Sequence, residues 1–144
     1  LYAPNKSFGL TGLRAGYAVL PQPWPDLEWL APAWVLGAAE VAFLQAVATS
    51  EAETWLASTR PVIAAWRRDL AQALRDLGLA VQESPVSFLL AEVGDAAATA
   101  ARLRLAGLRV RDAASFGLPG WIRLRAAPPE WRLRLIAALA DALR

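Results

Sequence analysis

Two cationic side chains near the start of the chain could act together on one ligand. Lys6 and Arg14 are eight positions apart, in a segment that contains three glycines. A lysine amine can hold a cofactor covalently, and a planar guanidinium binds a phosphate through two parallel hydrogen bonds. Glycines allow sharp turns and a close approach of the backbone to a ligand. The spacing therefore indicates a lysine that holds a cofactor and an arginine that holds the phosphate of that cofactor.

The composition excludes several other kinds of site. The 144 residues include no histidine and no cysteine, which excludes disulfides, thiolate nucleophiles, histidine-based triads and most zinc sites, so we expect no metal. A net charge of +2 without a basic run gives no sign of a nucleic-acid partner. The longest apolar stretch, 31–47, is interrupted by proline and polar residues, so we expect no membrane span. A P-loop does not fit either, because its glycines precede the lysine, whereas here they follow it.

Seven positions of the first segment form a pattern that belongs to a known family. The pattern is Lys-x-x-Gly-Leu-x-Gly-x-Arg-x-Gly-Tyr, at Lys6, Gly9, Leu10, Gly12, Arg14, Gly16 and Tyr17. It resembles the cofactor-lysine segment of the fold-type I pyridoxal-phosphate (PLP) enzymes, the class I/II aminotransferases. The resemblance implies that Lys6 is the catalytic residue that binds PLP covalently and that Arg14 binds its phosphate. The family usually has a serine or threonine where this chain has Ala3 and Asn5, so one phosphate-binding hydroxyl is missing.

A second segment, 107–123, extends the likeness. Its Val-Arg-Asp and Gly-Leu-Pro-Gly runs, followed by a strand that contains Arg123, resemble histidinol-phosphate aminotransferases and the threonine-phosphate decarboxylases of the cobalamin pathway. The resemblance implies that Arg123 binds the substrate carboxylate and that Arg111 reaches a phosphate or another distal anion. Alternate arginines on an exposed strand usually only face solvent, and we interpret Arg109 and Arg125 in that way.

The elements that must position these residues follow from hydrophobic periodicity. The predicted helices cover 27–30, 38–49, 51–77, 96–106 and a final segment from Pro128. The predicted strands cover 17–20 (buried), 79–82, 87–93, 108–111 and 121–125. Pro61 is expected to kink or interrupt the long helix. After residue 78, the order β-β-α-β-β-α predicts helices over one face of a sheet.

The expected fold class is α/β: the end of a fold-type I aminotransferase large domain, followed by a small α+β C-terminal domain. The chain begins with Leu1 and has no methionine, and the resemblance implies a fold more than twice as long. We therefore expect the C-terminal part of a longer protein. Residues 1–50 would complete the PLP-binding large domain, 51–77 would form an interdomain helix, and 78–144 would form the small domain.

The expected function is that of a PLP-dependent aminotransferase similar to histidinol-phosphate aminotransferase. Its partners would be an amino acid or amino-phosphate substrate and a 2-oxo acid. We expect the full-length protein to be a cytoplasmic homodimer, and this part alone to be inactive and to bind PLP weakly or not at all. Two alternatives stay open at this point: a PLP-dependent threonine-phosphate decarboxylase, and a non-catalytic interaction module.

Overall fold

The computed structural model describes residues 1–144, except for the side chain of Glu28. The chain divides into two compact units, which are Leu1–Thr59 (unit 1) and Arg60–Arg144 (unit 2). The helices are α1 (Pro25–Leu30), α2 (Ala38–Val47), α3 (Ser50–Asp76), α4 (Ala96–Leu105) and α5 (Pro129–Ala142), with a short 3-10 turn at Ala114–Phe116. The strands are β1 (Val81–Gln82), β2 (Phe88–Glu92), β3 (Arg111–Asp112) and β4 (Trp121–Arg125). Within the described residues, no helix is both long enough and apolar enough to cross a bilayer.

Unit 1 begins with a long loop and continues into helices. Helices α1 and α2 overlap the predicted helices at 27–30 and 38–49. Helix α1 begins two residues earlier than predicted, at Pro25, a residue that is tolerated in a first helical turn, and α2 ends two residues earlier. The predicted buried strand at 17–20 is wrong. Only Tyr17 pairs, through an isolated bridge to Tyr2, and Val19 is 70% exposed. A strand needs neighbouring backbone groups to satisfy its own, and among the described residues of unit 1 this segment finds them only at Tyr2.

Large apolar side chains of unit 1 remain in contact with solvent. Trp29 is 88% exposed and Trp34 is 91% exposed, and Leu30 beside them is 80% exposed. The core of unit 1 is correspondingly small, with Ala15 and Phe43 as its buried apolar residues among those described.

Helix α3 confirms the predicted helix at 51–77 to within one residue at each end. Pro61 lies inside it, and the helix continues through the proline, so the predicted interruption does not occur. Proline lacks the N–H that would bond four residues back, which weakens the helix locally. Burial of Leu70, Ala71 and Leu74 in the core of unit 2 stabilises the part of α3 that follows.

Unit 2 contains a four-stranded antiparallel sheet with strand order β1-β2-β4-β3. Its elements follow the predicted order β-β-α-β-β-α. Successive side chains of a strand point to opposite faces, and Leu89 of β2 and Ile122 of β4 are buried on one of them. They belong to a core that α3, α4 and α5 complete with Leu74, Leu103 and Leu139. The helices therefore cover one face, and the alternate residues of the strands lie on the other.

Helix α4 begins and ends as its sequence predicts. The side chain of Asp95 accepts a hydrogen bond from the Ala98 backbone N–H at 2.9 Å, which satisfies a free donor of the first turn. Gly107 follows the helix with a φ of +75°, a conformation that favours glycine. The Leu108 N–H then donates to the Leu103 carbonyl at 2.9 Å. The backbone N–H of Leu108 therefore serves the helix end and not a strand. Strand β3 comprises only Arg111–Asp112, so it begins three residues later than the predicted strand at 108–111.

Candidate active site

The segment that carries Lys6 and Arg14 is a closed loop in unit 1. Its ends are joined by two backbone hydrogen bonds between Tyr2 and Tyr17, of 2.7 and 2.9 Å, and the two rings stack at 5.0 Å. The next residue inwards is Gly16. A Cβ at this position would lie 2.8 Å from the Tyr2 carbonyl oxygen, which is closer than such atoms approach in proteins. Glycine is therefore needed here to let the two ends of the loop pair.

A side-chain hydrogen bond closes the loop a second time, next to both cationic residues. Asn5 is 4% exposed, and its Nδ2 donates to the Leu13 carbonyl at 2.9 Å. Lys6 and Arg14 directly follow these two residues, and consecutive Cα atoms are about 3.8 Å apart. The Asn5–Leu13 bond therefore holds the backbone of Lys6 close to that of Arg14. The Asn5 Oδ1 is buried, and it has no hydrogen-bond partner among the described residues.

The turn that contains Lys6 is anchored by an aromatic side chain. Phe8 stacks on Trp55 of α3 at 5.5 Å and meets Phe43 of α2 edge-on at 6.3 Å. Gly9 closes the turn with a φ of +70°, and its N–H donates to the Lys6 carbonyl at 3.3 Å. These contacts hold the backbone around Lys6 against α2 and the first part of α3, while the Lys6 side chain stays exposed.

The chemistry of the two cations fits PLP. Both side chains are exposed, and neither forms an ion pair with a carboxylate that the structure describes. An amine such as that of Lys6 can hold the aldehyde of PLP covalently, and a guanidinium such as that of Arg14 offers the strong donors that a phosphate needs. The closed loop carries both groups on neighbouring stretches of backbone. The hydroxyl that is usual at position 5 in the family is replaced here by a side chain whose amide is engaged in loop closure.

The two predicted substrate arginines are direct neighbours in unit 2. The sheet register pairs Arg111 of β3 with Arg123 of β4, and directly opposite residues share one face of a sheet. This is the face away from the core, since the adjacent Ile122 is fully buried on the other side. The Cζ atoms of Arg111 and Arg123 lie 5.5 and 5.6 Å from the centre of the Phe116 ring. Arg111 also donates from Nη2 to Ser115 Oγ at 3.3 Å.

The charge of this arginine pair is not neutralised within the described part of the chain. Neither guanidinium lies within ion-pair distance of a described carboxylate. Like charges directly opposite each other destabilise a sheet, and an anion bound by both arginines would remove that repulsion. Arg111 and Arg123 therefore form the second place in the chain where the geometry favours an anionic ligand.

The structure thus places Arg111 opposite Arg123 in unit 2. In unit 1, it joins the backbone segments that carry Lys6 and Arg14 through the Asn5–Leu13 hydrogen bond. Sequence reasoning missed the residues that hold these pairs. In the sequence, Asn5 stands out only as a departure from the family pattern. Its side-chain amide, next to a candidate lysine, is the signal that could have predicted the hydrogen bond that closes the loop. Phe116 gave no periodic signal, because it lies in a turn and meets both arginines through tertiary structure.

Comparison with known proteins supports the resemblance seen in the sequence. The family model for aminotransferase class I and II matches residues 5–139. A histidinol-phosphate aminotransferase of Haloarcula marismortui is 33% identical over 139 residues, which cover 96% of this chain and 38% of that protein. Histidinol-phosphate aminotransferase 2 of Ralstonia nicotianae is 37% identical over 145 residues, with the same coverage of each. The chain therefore spans well under half the length of these curated relatives.

A solved structure shows the same architecture. The crystal structure of a Burkholderia pseudomallei protein that is assigned as an aminotransferase matches with a TM-score of 0.75 and 30% identity. The match covers 83% of this chain and 37% of that one, so the mixed helix and strand content found here is part of an aminotransferase α/β fold. Since the family model covers nearly all of the chain, the chain belongs to the class I and II aminotransferases.

Proposed function

We propose that this chain is the C-terminal part of a PLP-dependent aminotransferase similar to histidinol-phosphate aminotransferase. The full-length enzyme would move an amino group between an amino acid or amino-phosphate and a 2-oxo acid. The observation that carries the proposal is the closed loop of unit 1, in which the Asn5–Leu13 hydrogen bond joins the backbone next to Lys6 to the backbone next to Arg14. The membership of the chain in an enzyme family supports it further.

Each cation of the loop has a separate role in this proposal. Lys6 Nζ would hold the cofactor covalently and, when it is free, would take the proton from the substrate Cα and deliver it to the cofactor. Arg14 holds the phosphate in a bidentate manner and stays charged at every relevant pH. PLP, when bound, supplies the electron sink that makes loss of the Cα proton feasible.

The arginine pair of unit 2 has the substrate-binding role. Arg123 would bind the carboxylate of the substrate, and Arg111 would bind a distal phosphate or carboxylate. Their shared face and their lack of a described carboxylate partner support this assignment. The division into 1–50, 51–77 and 78–144 belongs to the same proposal, with the last segment as the small α+β domain. Homodimeric assembly and a cytoplasmic location stay predictions.

Covalent labelling of the full-length protein tests the role of Lys6. The protein is incubated with PLP, reduced with borohydride and digested, and the modified peptide is identified by mass spectrometry. We expect the label on Lys6 and a loss of the label in Lys6→Arg, which keeps the positive charge. Labelling of a different lysine, with Lys6 unmodified, would end the assignment. Arg14→Lys is expected to weaken PLP binding about tenfold or more, because an ammonium cannot make the bidentate contact.

Substrate assays test the reaction itself. Histidinol phosphate and threonine phosphate are each offered with 2-oxoglutarate, and both glutamate formation and carbon dioxide release are measured. Transamination of histidinol phosphate, with a KM that rises in Arg111→Lys, is the expected result. Carbon dioxide release from threonine phosphate without glutamate formation would contradict the proposed reaction class.

A further inference from the structure

We propose that Phe116 is a positioning residue that orients both arginines of the substrate site. The inference rests on the proposed function, because it takes Arg111 and Arg123 as the groups that bind the substrate anions. It adds a residue that carries no charge and no reactive group, and that the sequence pattern does not single out. The geometry points to Phe116 because its ring is the one feature, among the described residues, with a cation–π contact to both guanidiniums.

The backbone fixes the position of the Phe116 ring. Phe116 ends the 3-10 turn, and its N–H donates at 2.9 Å to the carbonyl of Ala113, which is fully buried. Gly117 follows with a φ of +77° and an N–H···O bond of 3.0 Å to Ala114. The turn is therefore tied to the core at its base, while the ring itself is 57% exposed and free to meet the arginines.

A ring in this position can hold two like charges without consuming their hydrogen bonds. The face of an aromatic ring attracts a cation, and a guanidinium that packs with its planar face leaves its N–H groups free at the edge. Phe116 thereby reduces the number of orientations that Arg111 and Arg123 sample before an anion binds. Binding an anion to side chains that are already ordered costs less conformational entropy.

A second phenylalanine on the same face provides a matched control. Phe88 of β2 lies 5.0 Å from the Cζ of Arg123 and makes no cation–π contact with Arg111 in the described structure. Replacing Phe88 therefore disturbs one arginine, whereas replacing Phe116 disturbs both. The affinities for a ligand with one anionic group and for a ligand with two therefore distinguish the loss of one arginine's orientation from the loss of both.

The experiment measures binding of two unreactive probes to the full-length protein by calorimetry. Glutarate carries two carboxylates and butyrate carries one, and neither has an amino group, so neither reacts. We expect Phe116→Leu to raise the Kd of butyrate about two- to fivefold, through Arg123, and that of glutarate by roughly the square of that factor, through both arginines. Phe116→Tyr keeps the ring and is expected to bind both probes like the wild type. Phe88→Leu is expected to weaken both probes by the same factor.

The outcomes separate this inference from the function on which it rests. If the wild type binds neither probe, or if Arg123→Lys and Arg111→Lys bind both probes unchanged, the proposed substrate site is refuted and the inference with it. If the arginine variants lose affinity but Phe116→Leu does not, only the role of Phe116 is refuted. Equal losses of both probes in Phe116→Leu, or no recovery in Phe116→Tyr, would also overturn it, since a general disturbance of the turn would then explain the effect. Circular dichroism confirms that each variant is folded.

Discussion

Replacement of Asn5 tests how the loop holds Lys6 and Arg14 together. Asn5→Ala removes the 2.9 Å hydrogen bond to Leu13 and leaves the Leu13 carbonyl without this partner. Asn5→Asp keeps the size of the side chain but puts an oxygen where the Nδ2 donor was. Two acceptors would then face each other inside the loop, which opposes closure. The two variants therefore remove the same bond with different consequences.

The expected magnitudes follow from the buried polar groups. Leaving a buried group without its partner costs about 1–3 kcal/mol. The Asn5 Oδ1 already has no partner among the described residues, and alanine removes this oxygen as well, which offsets part of the loss. We therefore expect a net cost of roughly 1 kcal/mol for Asn5→Ala. Asn5→Asp keeps an unpaired oxygen, adds a second one and buries charge, so we expect roughly 3 kcal/mol.

The assay is a titration of the full-length protein with PLP, followed by absorbance. If PLP binds only to the closed loop, these costs set the largest expected rise in the Kd, up to about fivefold for Asn5→Ala and up to about a hundredfold for Asn5→Asp. An Asn5→Asp variant that binds PLP as tightly as the wild type would refute the reasoning. So would an Asn5→Ala variant that binds more weakly than Asn5→Asp, because the order of the two reports the role of the donor.

Three further predictions concern stability. Gly16→Ala is expected to lower the free energy of unfolding by roughly 1–3 kcal/mol, because the new Cβ would lie 2.8 Å from the Tyr2 carbonyl oxygen. Gly12→Ala is the control, since a Cβ at Gly12 would meet no atom within 4 Å. Equal melting temperatures for the two variants would contradict the prediction. Asp95→Ala should lower the free energy of unfolding, measured by chemical denaturation, by about 1 kcal/mol because it removes the N-cap of α4, whereas Asp95→Asn should lower it little. An equal loss of stability in both variants would contradict the capping role. A hydrogen bond from its own backbone N–H is the main cause that holds the pKa of the Glu51 carboxyl below its ordinary value. A lowered pKa means that the stabilisation is complete above the pKa of the unfolded state and is lost as the pH falls through the pKa of the folded state. The pKa of Glu51 measured by NMR should therefore be lower in the folded protein than in the unfolded protein, and an equal or higher value would contradict this prediction.

Most of unit 2 could be predicted from the sequence because its signals are local and agree with its packing. The alternating strand at 121–125 coincides with β4, and the buried members of that alternation face the helices. Asp95 and Gly107 mark the ends of α4 through backbone preferences that need no knowledge of the fold. Unit 1 was less predictable. The run at 17–20 has strand composition, yet its backbone finds a partner within the described unit only at Tyr2.

The residues of the candidate site also differ in how well the sequence predicts them. The residue types at Lys6, Arg14, Arg111 and Arg123 stand out from motif and spacing alone. The contacts that hold them do not, because the Asn5–Leu13 bond depends on the path of a loop and the Phe116 contacts depend on the register of two strands. A one-residue shift of β3 against β4 would move Arg111 to the opposite face from Arg123. Sequence reasoning can therefore nominate the charged groups but not the neutral side chains that orient them.

The exposed indoles of residues 29 and 34 have a practical consequence for spectroscopy. An indole in water emits at longer wavelength than one in an apolar environment, and the indoles of Trp29 and Trp34 are both almost fully exposed. Whatever surface comes to lie on them will shift their emission towards the blue. Replacing both with phenylalanine and subtracting the spectra would isolate that signal, so the molecule carries its own fluorescent reporter of how this segment becomes covered.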